Sequence, residues 1–190
     1  MNKPVGILAI QGGYEAHAQT LISLGVNYLY ITLPEHLEKI SALIIPGGES
    51  TTLLKFITEN GLFIAIKKFS RPIFGTCAGA ILLAQAVSNP EQPSLELIDI
   101  TIERNAYGRQ IDSHISHGLF IPTKKNIDMV FIRAPKIKIN NDHVTILARC
   151  NNEIVCVQQG NYLAASFHPE LSNNTTVHKY FLELSGIIHN

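Results

Sequence analysis

The chain has 190 residues, 46% of them hydrophobic and only 16% charged, which excludes a disordered segment and suits one globular domain over residues 1–190 with a sizeable core. Fifteen basic and fifteen acidic residues cancel, so there is no electrostatic footprint for nucleic acid or an anionic membrane surface. Three cysteines without regular spacing argue against a disulfide framework and fit a reducing, cytoplasmic compartment, and no apolar run reaches the roughly 20 residues that span a bilayer.

Val5 to Ile10 is a continuous apolar run ending at Gly12-Gly13, the pattern of a central parallel strand followed by a tight turn. Met1-Asn2-Lys3 ahead of it mimics a signal peptide only superficially, because Gln11 to Glu15 offers no cleavage site. Tyr14 to Leu24 reads as a helix with Ala18, Leu21 and Ile22 on its apolar face and Gly25 closing it. Strands follow at Val26 to Leu33 and Ala42 to Ile45, and helices at Thr52 to Glu59 and Gly61 to Phe69. Strand, helix, strand at this spacing indicates βαβ units and a parallel sheet.

Pro72 to Phe74 delivers the chain to Gly75-Thr76-Cys77-Ala78-Gly79, and the apolar segment as far as Ala84 reads as a helix. A cysteine at a strand-to-helix corner sits where backbone N–H groups and the helix dipole favour the thiolate. Glycines at i−2 and i+2 fit a strained elbow against which a neighbouring element packs closely. Taken alone, Cys77 is either that nucleophile or one more buried cysteine. Pro46-Gly47-Gly48-Glu49-Ser50 is the second Gly-rich turn after a strand. It suits backbone N–H groups facing a ligand, or an ordinary loop, and it is no phosphate loop because Gly-Lys-Ser/Thr is missing.

After the loop Ser88 to Pro93 the character changes to short strands, at Leu95 to Glu103, Leu119 to Pro122, Met129 to Ile132, Val144 to Arg149, Ile154 to Gln158 and Leu163 to Phe167. Asn140-Asn141-Asp142, Asn151-Asn152 and Gln159-Gly160-Asn161 are turn residues that hairpins prefer, so an antiparallel second half joins the parallel first half, closed by a helix from Thr175 to Leu184. His168-Pro169-Glu170 follows the last strand, extended at His168 because a proline comes next, so imidazole and carboxylate share one side. With Cys77 they supply nucleophile, base and orienting acid, a stronger signal than any part alone. Asp112, His114 and His117, or Cys150 with Cys156, lack zinc spacing, and no metal is expected; Leu33-Pro34-Glu35-His36 matches His-Pro-Glu in composition only and falls in a loop.

Gly75-Thr76-Cys77-Ala78-Gly79, Pro46-Gly47-Gly48-Glu49-Ser50 and His168-Pro169-Glu170 resemble the class I (triad) glutamine amidotransferases. Leu8-Ala9-Ile10-Gln11-Gly12, Glu103-Arg104-Asn105-Ala106-Tyr107-Gly108-Arg109-Gln110 and Phe131-Ile132-Arg133-Ala134-Pro135 are similar to the glutaminase-subunit family of pyridoxal 5′-phosphate synthase (the PdxT family). The resemblance implies an α/β three-layer sandwich, flavodoxin-like, with a mostly parallel central sheet and antiparallel strands in the second half. It implies a glutaminase with no cofactor, whose partners are L-glutamine and a synthase subunit that takes up the ammonia. Cys77, His168 and Glu170 would be the triad; Gly48, Glu49, Ser50, Arg104, Ile132 and Arg133 would contact glutamine. The N–H groups of Gly48 and Ala78 would form the oxyanion hole, and Gln11 would lie near the site at the synthase face. The family also implies low activity without the synthase. Gly13-Tyr14, where a small aliphatic pair is usual, and a short segment from Asp112 to Asp128 depart from the family pattern at places that bear on partner contacts. The rival readings are an amidotransferase serving another synthase, such as one of histidine or purine biosynthesis, a catalytically silent subunit, and a stand-alone hydrolase or peptidase of related fold.

Overall fold

The structure is a computed structural model that describes residues 3–106 and 113–188. Its elements in chain order are β1 (Val5–Leu8), α1 (Tyr14–Ser23), β2 (Tyr28–Ile31), a 3₁₀ helix (Pro34–Lys39), β3 (Ala42–Ile45), α2 (Ser50–Glu59), α3 (Leu62–Lys67), β4 (Ile73–Thr76) and α4 (Ala78–Leu83). The second half adds β5 (Ala84–Ser88), β6 (Ile98–Glu103), β7 (Ser113–Phe120), β8 (Lys125–Ile132), β9 (Lys136–Ile139), β10 (Thr145–Cys150), β11 (Glu153–Gln159), β12 (Tyr162–Ala165), a 3₁₀ turn (Pro169–Leu171) and α5 (Thr176–Leu184).

Among the described residues one nine-stranded sheet runs β2-β1-β3-β4-β12-β11-β10-β7-β8. Its first five strands are parallel throughout, and the pairs from β12 to β11 onward are antiparallel. β1, β3 and β4 are buried at every position, which is why they read as unbroken apolar runs and not as alternating ones. Alternate residues serve two cores. Val5, Ile7, Ile44 and Phe74 pack with Ala18 and Leu21 of α1 and Val177 and Phe181 of α5. Leu8, Leu43, Ile45 and Ile73 pack with Leu53 and Ile57 of α2 and Leu62 and Ile66 of α3. Helices on both faces of the sheet make the three-layer sandwich that the family resemblance implies. The order 2-1-3-4-12 puts a switch point between β1 and β3, and the turns after β1, β3, β4 and β12 gather at one carboxyl edge.

A second, three-stranded sheet, β5-β6-β9, was not legible in the pattern. The apolar run after Cys77 turns from helix to strand at Ala84, where β5 pairs in parallel with β6, and a short apolar run cannot announce that change by periodicity. β9 is a strand at Lys136–Ile139 where the sequence shows none, paired with β6. Asn140-Asn141-Asp142 therefore connects two sheets and closes no hairpin, whereas Asn151 and Asn152, at φ 47° and 68°, do turn β10 into β11. Leu119 to Pro122 and Met129 to Ile132 are only the ends of an eight-residue hairpin pair, β7 and β8. β1 stops at Leu8, and Leu33-Pro34-Glu35-His36 enters a 3₁₀ helix where a loop was expected. No helix among the described residues is long and apolar enough to cross a membrane.

Candidate active site

β4 ends at Thr76, and Cys77 turns the chain into α4 with φ 48° and ψ −103°, a conformation that is costly for a residue with a side chain. The surroundings over-determine it. The Cys77 N–H donates to the Ala165 carbonyl of β12 at 2.8 Å, and the Cys77 carbonyl accepts from Ile81 N–H at 3.1 Å. The two flanking glycines are sterically required. A Cβ on Gly79 would stand 1.9 Å from the Ile45 carbonyl oxygen, and one on Gly75 would stand 2.5 Å from the Gly79 backbone. The corner thus rests directly on β3, and the thiol is left 7% exposed, 3.8 Å from the Ile132 carbonyl.

His168 lies three residues beyond β12, anchored by its N–H on the Val130 carbonyl at 2.8 Å. Its Nδ1 is 2.7 Å from Glu170 Oε1 across the 3₁₀ turn that begins at Pro169. Burial by itself disfavours a charged imidazole, but the hydrogen bond to Cys77 and the Glu170 carboxylate outweigh it and lift the His168 pKa to about 10. Burial also opposes charge on Glu170, yet His17 and His168 beside it keep its carboxyl below the ordinary carboxylate range. The turn's geometry differs in detail from the extended segment that the Pro169 rule suggests, while imidazole and carboxylate do meet.

Cys77, His168 and Glu170 line a cavity of about 620 Å³ whose other walls include Gly12, Gly13, Gly47, Gly48, Glu49, Ser50, Arg104, Ile132 and Arg133. Glu49 caps α2, its carboxylate accepting from Thr51 N–H at 3.1 Å and Thr52 N–H at 2.7 Å. Partial burial opposes its charge, but the Thr51 hydroxyl, which also donates to it, and those two backbone bonds outweigh burial and lower its pKa to about 2. Arg104 Nη2 is 3.6 Å from Glu49 Oε1, and Arg104 Nη1 is buried with no hydrogen-bond partner among the described residues. Ser50 is buried, and its hydroxyl donates to Gln92 Oε1 at 2.9 Å. Arg133, like Cys77, carries a positive φ, 46°, at the cavity wall. Gln11 stands outside the cavity lining, and its amide donates to the Glu49 carbonyl at 2.6 Å, tying the turn after β1 to the turn after β3. Ala78 is the first residue of α4, directly behind the thiol.

The sequence-selected residues therefore converge on one cavity or its immediate support. Tyr107 to Gln110 and Asp112 lie outside the described residues. His114 stacks on Phe131 at 4.8 Å and His117 pairs with Asp128 at 2.8 Å, while Cys150 and Cys156 are buried free thiols, the latter pushed up by burial. Sequence reasoning missed Thr76 and His17. Thr76 Oγ1 accepts from the Gly47 N–H at 3.1 Å and lies 3.2 Å from His17 Nε2. A histidine on the apolar face of a helix carries no signal that separates it from an ordinary core residue.

A thiol at a strained helix start, an imidazole biased toward its charged form and a carboxylate behind it form a geometry suited to acyl transfer from an amide or ester. Comparison with known proteins narrows that class. A family model described as "SNO glutamine amidotransferase family" matches residues 7–185. "Pyridoxal 5'-phosphate synthase subunit PdxT" of Solibacter usitatus (strain Ellin6076) is 45% identical over 188 residues, covering 95% of this chain and 98% of the relative. The protein of the same name from Francisella tularensis subsp. holarctica (strain FTNF002-00 / FTA) is 45% identical over 186 residues, covering 97% of this chain and all of the relative. A solved structure described as "Crystal structure of glutamine amidotransferase" superposes with a TM-score of 0.90 at 43% identity, covering 96% of this chain and 98% of that one.

Proposed function

The chain belongs to the SNO glutamine amidotransferase family, and from that premise we propose that it is the cytoplasmic glutaminase subunit of a pyridoxal 5′-phosphate synthase, acting as one domain over residues 1–190. It takes L-glutamine, releases glutamate, and hands the ammonia to its synthase partner. The observation that carries the reading is the meeting of Cys77, His168 and Glu170 in one cavity with Gly48, Glu49, Ser50 and Arg104, in a chain 45% identical to such subunits over nearly its whole length.

Cys77 is the nucleophile. Its thiolate attacks the side-chain amide carbon of glutamine, and the Gly48 and Ala78 N–H groups receive the developing oxyanion. Loss of one such donor typically costs about 3–4 kcal/mol of barrier, so the setting of the Gly48 peptide controls the rate. His168, with a pKa near 10, is an imidazolium at neutral pH and can protonate the departing ammonia. Neutral once that proton is gone, it takes a proton from water, which attacks the glutamyl thioester and frees glutamate and Cys77. Glu170 fixes the ring and stabilises its charge at 2.7 Å. Glu49, Ser50, Arg104, Ile132 and Arg133 hold the glutamine, the Arg104 Nη1 that has no hydrogen-bond partner among the described residues suiting its carboxylate. The Gly47-Gly48 turn admits peptide rotation, and docking of the synthase beside Gln11 sets it in the active orientation.

Glutamate release from glutamine is to be measured on the purified chain with and without its synthase, alongside Cys77→Ala. Release stimulated by the synthase and abolished in Cys77→Ala is expected. Release that survives the substitution refutes the nucleophile, and equal release with and without the synthase refutes the gating.

A further inference from the structure

Behind Glu170, on the side away from the cavity, lie two histidines for which the triad has no role. His17 of α1 and His178 of α5 are both fully buried. His17 Nε2 is 3.4 Å from Glu170 Oε2 and 3.2 Å from Thr76 Oγ1, and His17 Nδ1 is 2.9 Å from His178 Nε2. Glu170 Oε2 faces His17 Nε2 at ion-pair distance but has no hydrogen-bond partner among the described residues, and neither has His178 Nδ1.

These contacts select one arrangement of protons. Glu170 Oε2 only accepts, so an unprotonated His17 Nε2 would turn a lone pair toward a carboxylate 3.4 Å away; Nε2 therefore carries the hydrogen, which it donates to Thr76 Oγ1 with Glu170 alongside. If His17 were also protonated at Nδ1, His178 Nε2 would have to accept, and the His178 proton would sit on the buried, partnerless Nδ1. An unmade N–H bond in the core is costly. The remaining arrangement has neutral His17 accepting at Nδ1 from His178 Nε2–H. Burial first, and mutual repulsion second, hold His178 at a pKa of about 3, and burial lowers that of His17 despite the attraction of Glu170. The titratable groups around His17 are Glu170 and His168 from the segment after β12 and His178 from α5; β4 contributes Thr76 and the ring of Phe74.

We propose that His17, locked in its Nε2–H tautomer by His178, is a positioning residue of the glutaminase reaction. It orients the second oxygen of Glu170 and, through the Thr76 hydroxyl that accepts from Gly47 N–H, holds the start of the oxyanion turn. One neutral ring thus ties the acid of the triad to the loop that stabilises the oxyanion. The inference rests on the assignment of Cys77, His168 and Glu170 given above, and extends it inward to residues that never meet the substrate.

Two measurements test it. In the complex with the synthase, His17→Leu is expected to lower kcat roughly tenfold, the scale of a lost buried hydrogen bond, with KM for glutamine unchanged within about twofold. The acid limb of the pH profile is expected to move to higher pH, because the buried Glu170 carboxylate has lost the polar N–H that faces it at 3.4 Å. His17→Gln, whose amide N–H replaces Nε2–H, is expected to recover most of kcat. An unchanged kcat, or a His17→Gln variant as impaired as His17→Leu, overturns the proposal. Nitrogen NMR of the isolated chain with labelled histidine gives a readout free of glutamine chemistry: both rings neutral and protonated at Nε2 support it, while a charged His17 or an Nδ1–H His178 overturns it. If Cys77→Ala still releases glutamate, the functional reading fails, and the NMR result stands separately.

Discussion

Across the cavity, Cys77, His168 and Glu170 are each less than a tenth exposed, whereas the facing Glu49 side chain is half exposed. The buried wall is over-determined. The elbow leans on β3 through Gly79, the ring of His168 is fixed at 2.7 Å, and two further histidines back the carboxylate. The open wall shows a helix cap, an ion pair from Arg104 to Glu49 and hydrogen bonds from the Gln11 amide to the Glu49 carbonyl and from Ser50 to Gln92. On the proposed assignment, the groups that form and break bonds are thus set by packing, and those that surround the substrate by a few polar contacts within reach of solvent. Such a division leaves the second wall, not the first, open to adjustment by a partner.

Substitutions on the buried wall should have the largest effects. Glu170→Gln is expected to lower kcat/KM by about a thousandfold, since the ring loses its compensating charge and an amide, unlike a carboxylate, can present N–H to Nδ1 and favour the wrong tautomer. Its alkaline limb should move to lower pH, because the carboxylate that lifts His168 toward 10 is gone. A limb that stays in place would show that Glu170 acts sterically. Gly47→Ala comes next, with a loss of about a hundredfold, because its Cβ would stand 2.3 Å from His168 Cε1 and 3.2 Å from Cys77 Cβ. Full activity there would mean that the two walls are less tightly fitted than described.

On the open wall, Gln11→Ala removes one hydrogen bond and should raise KM about fivefold while leaving the thermal midpoint unchanged. A thousandfold loss would erase the contrast between the walls. The last effect leaves catalysis at neutral pH alone and concerns stability. His178 is neutral in the folded chain to about pH 3 but takes up a proton near pH 6.5 when unfolded. Its contribution is therefore complete above pH 6.5 and falls as pH drops toward 3, at about 1.4 kcal/mol per pH unit. Denaturant titrations of His178→Phe should show an acid slope shallower by one proton, and an identical slope would contradict the buried neutral ring.

The buried wall was also the more legible one. Gly75 and Gly79 announce the elbow because a Cβ at either would stand under 3 Å from neighbouring backbone, and Pro169, read as keeping His168 extended, put His168 and Glu170 on one side, although they meet across a 3₁₀ turn. The parallel half was readable because fully buried strands are unbroken apolar runs. What escaped notice depends on distance along the chain. His17 and His178 are 161 residues apart, and nothing local to either marks a partner. β5 and β9 stayed hidden since each is short and paired only through β6, while the exposed alternation of β7 resembles a polar loop. Family resemblance, not periodicity, pointed to Arg104 and Arg133.

The order of strands also has a temporal consequence. β12 is the middle strand of the nine, between β4 and β11, and it is the last strand in the chain among the described residues. Ile73 pairs with Tyr162 and Thr76 with Ala165, so the sheet cannot close until some ninety intervening residues have been made and have folded back. Contacts of such sequence separation form late and slowly. On the proposed assignment Cys77 is consequently without the His168 imidazole until β12 is in place, and the same event that completes the sheet arms the site. Recovery of glutaminase activity on refolding should keep time with closure of the sheet, and no partly built chain has the means to hydrolyse glutamine.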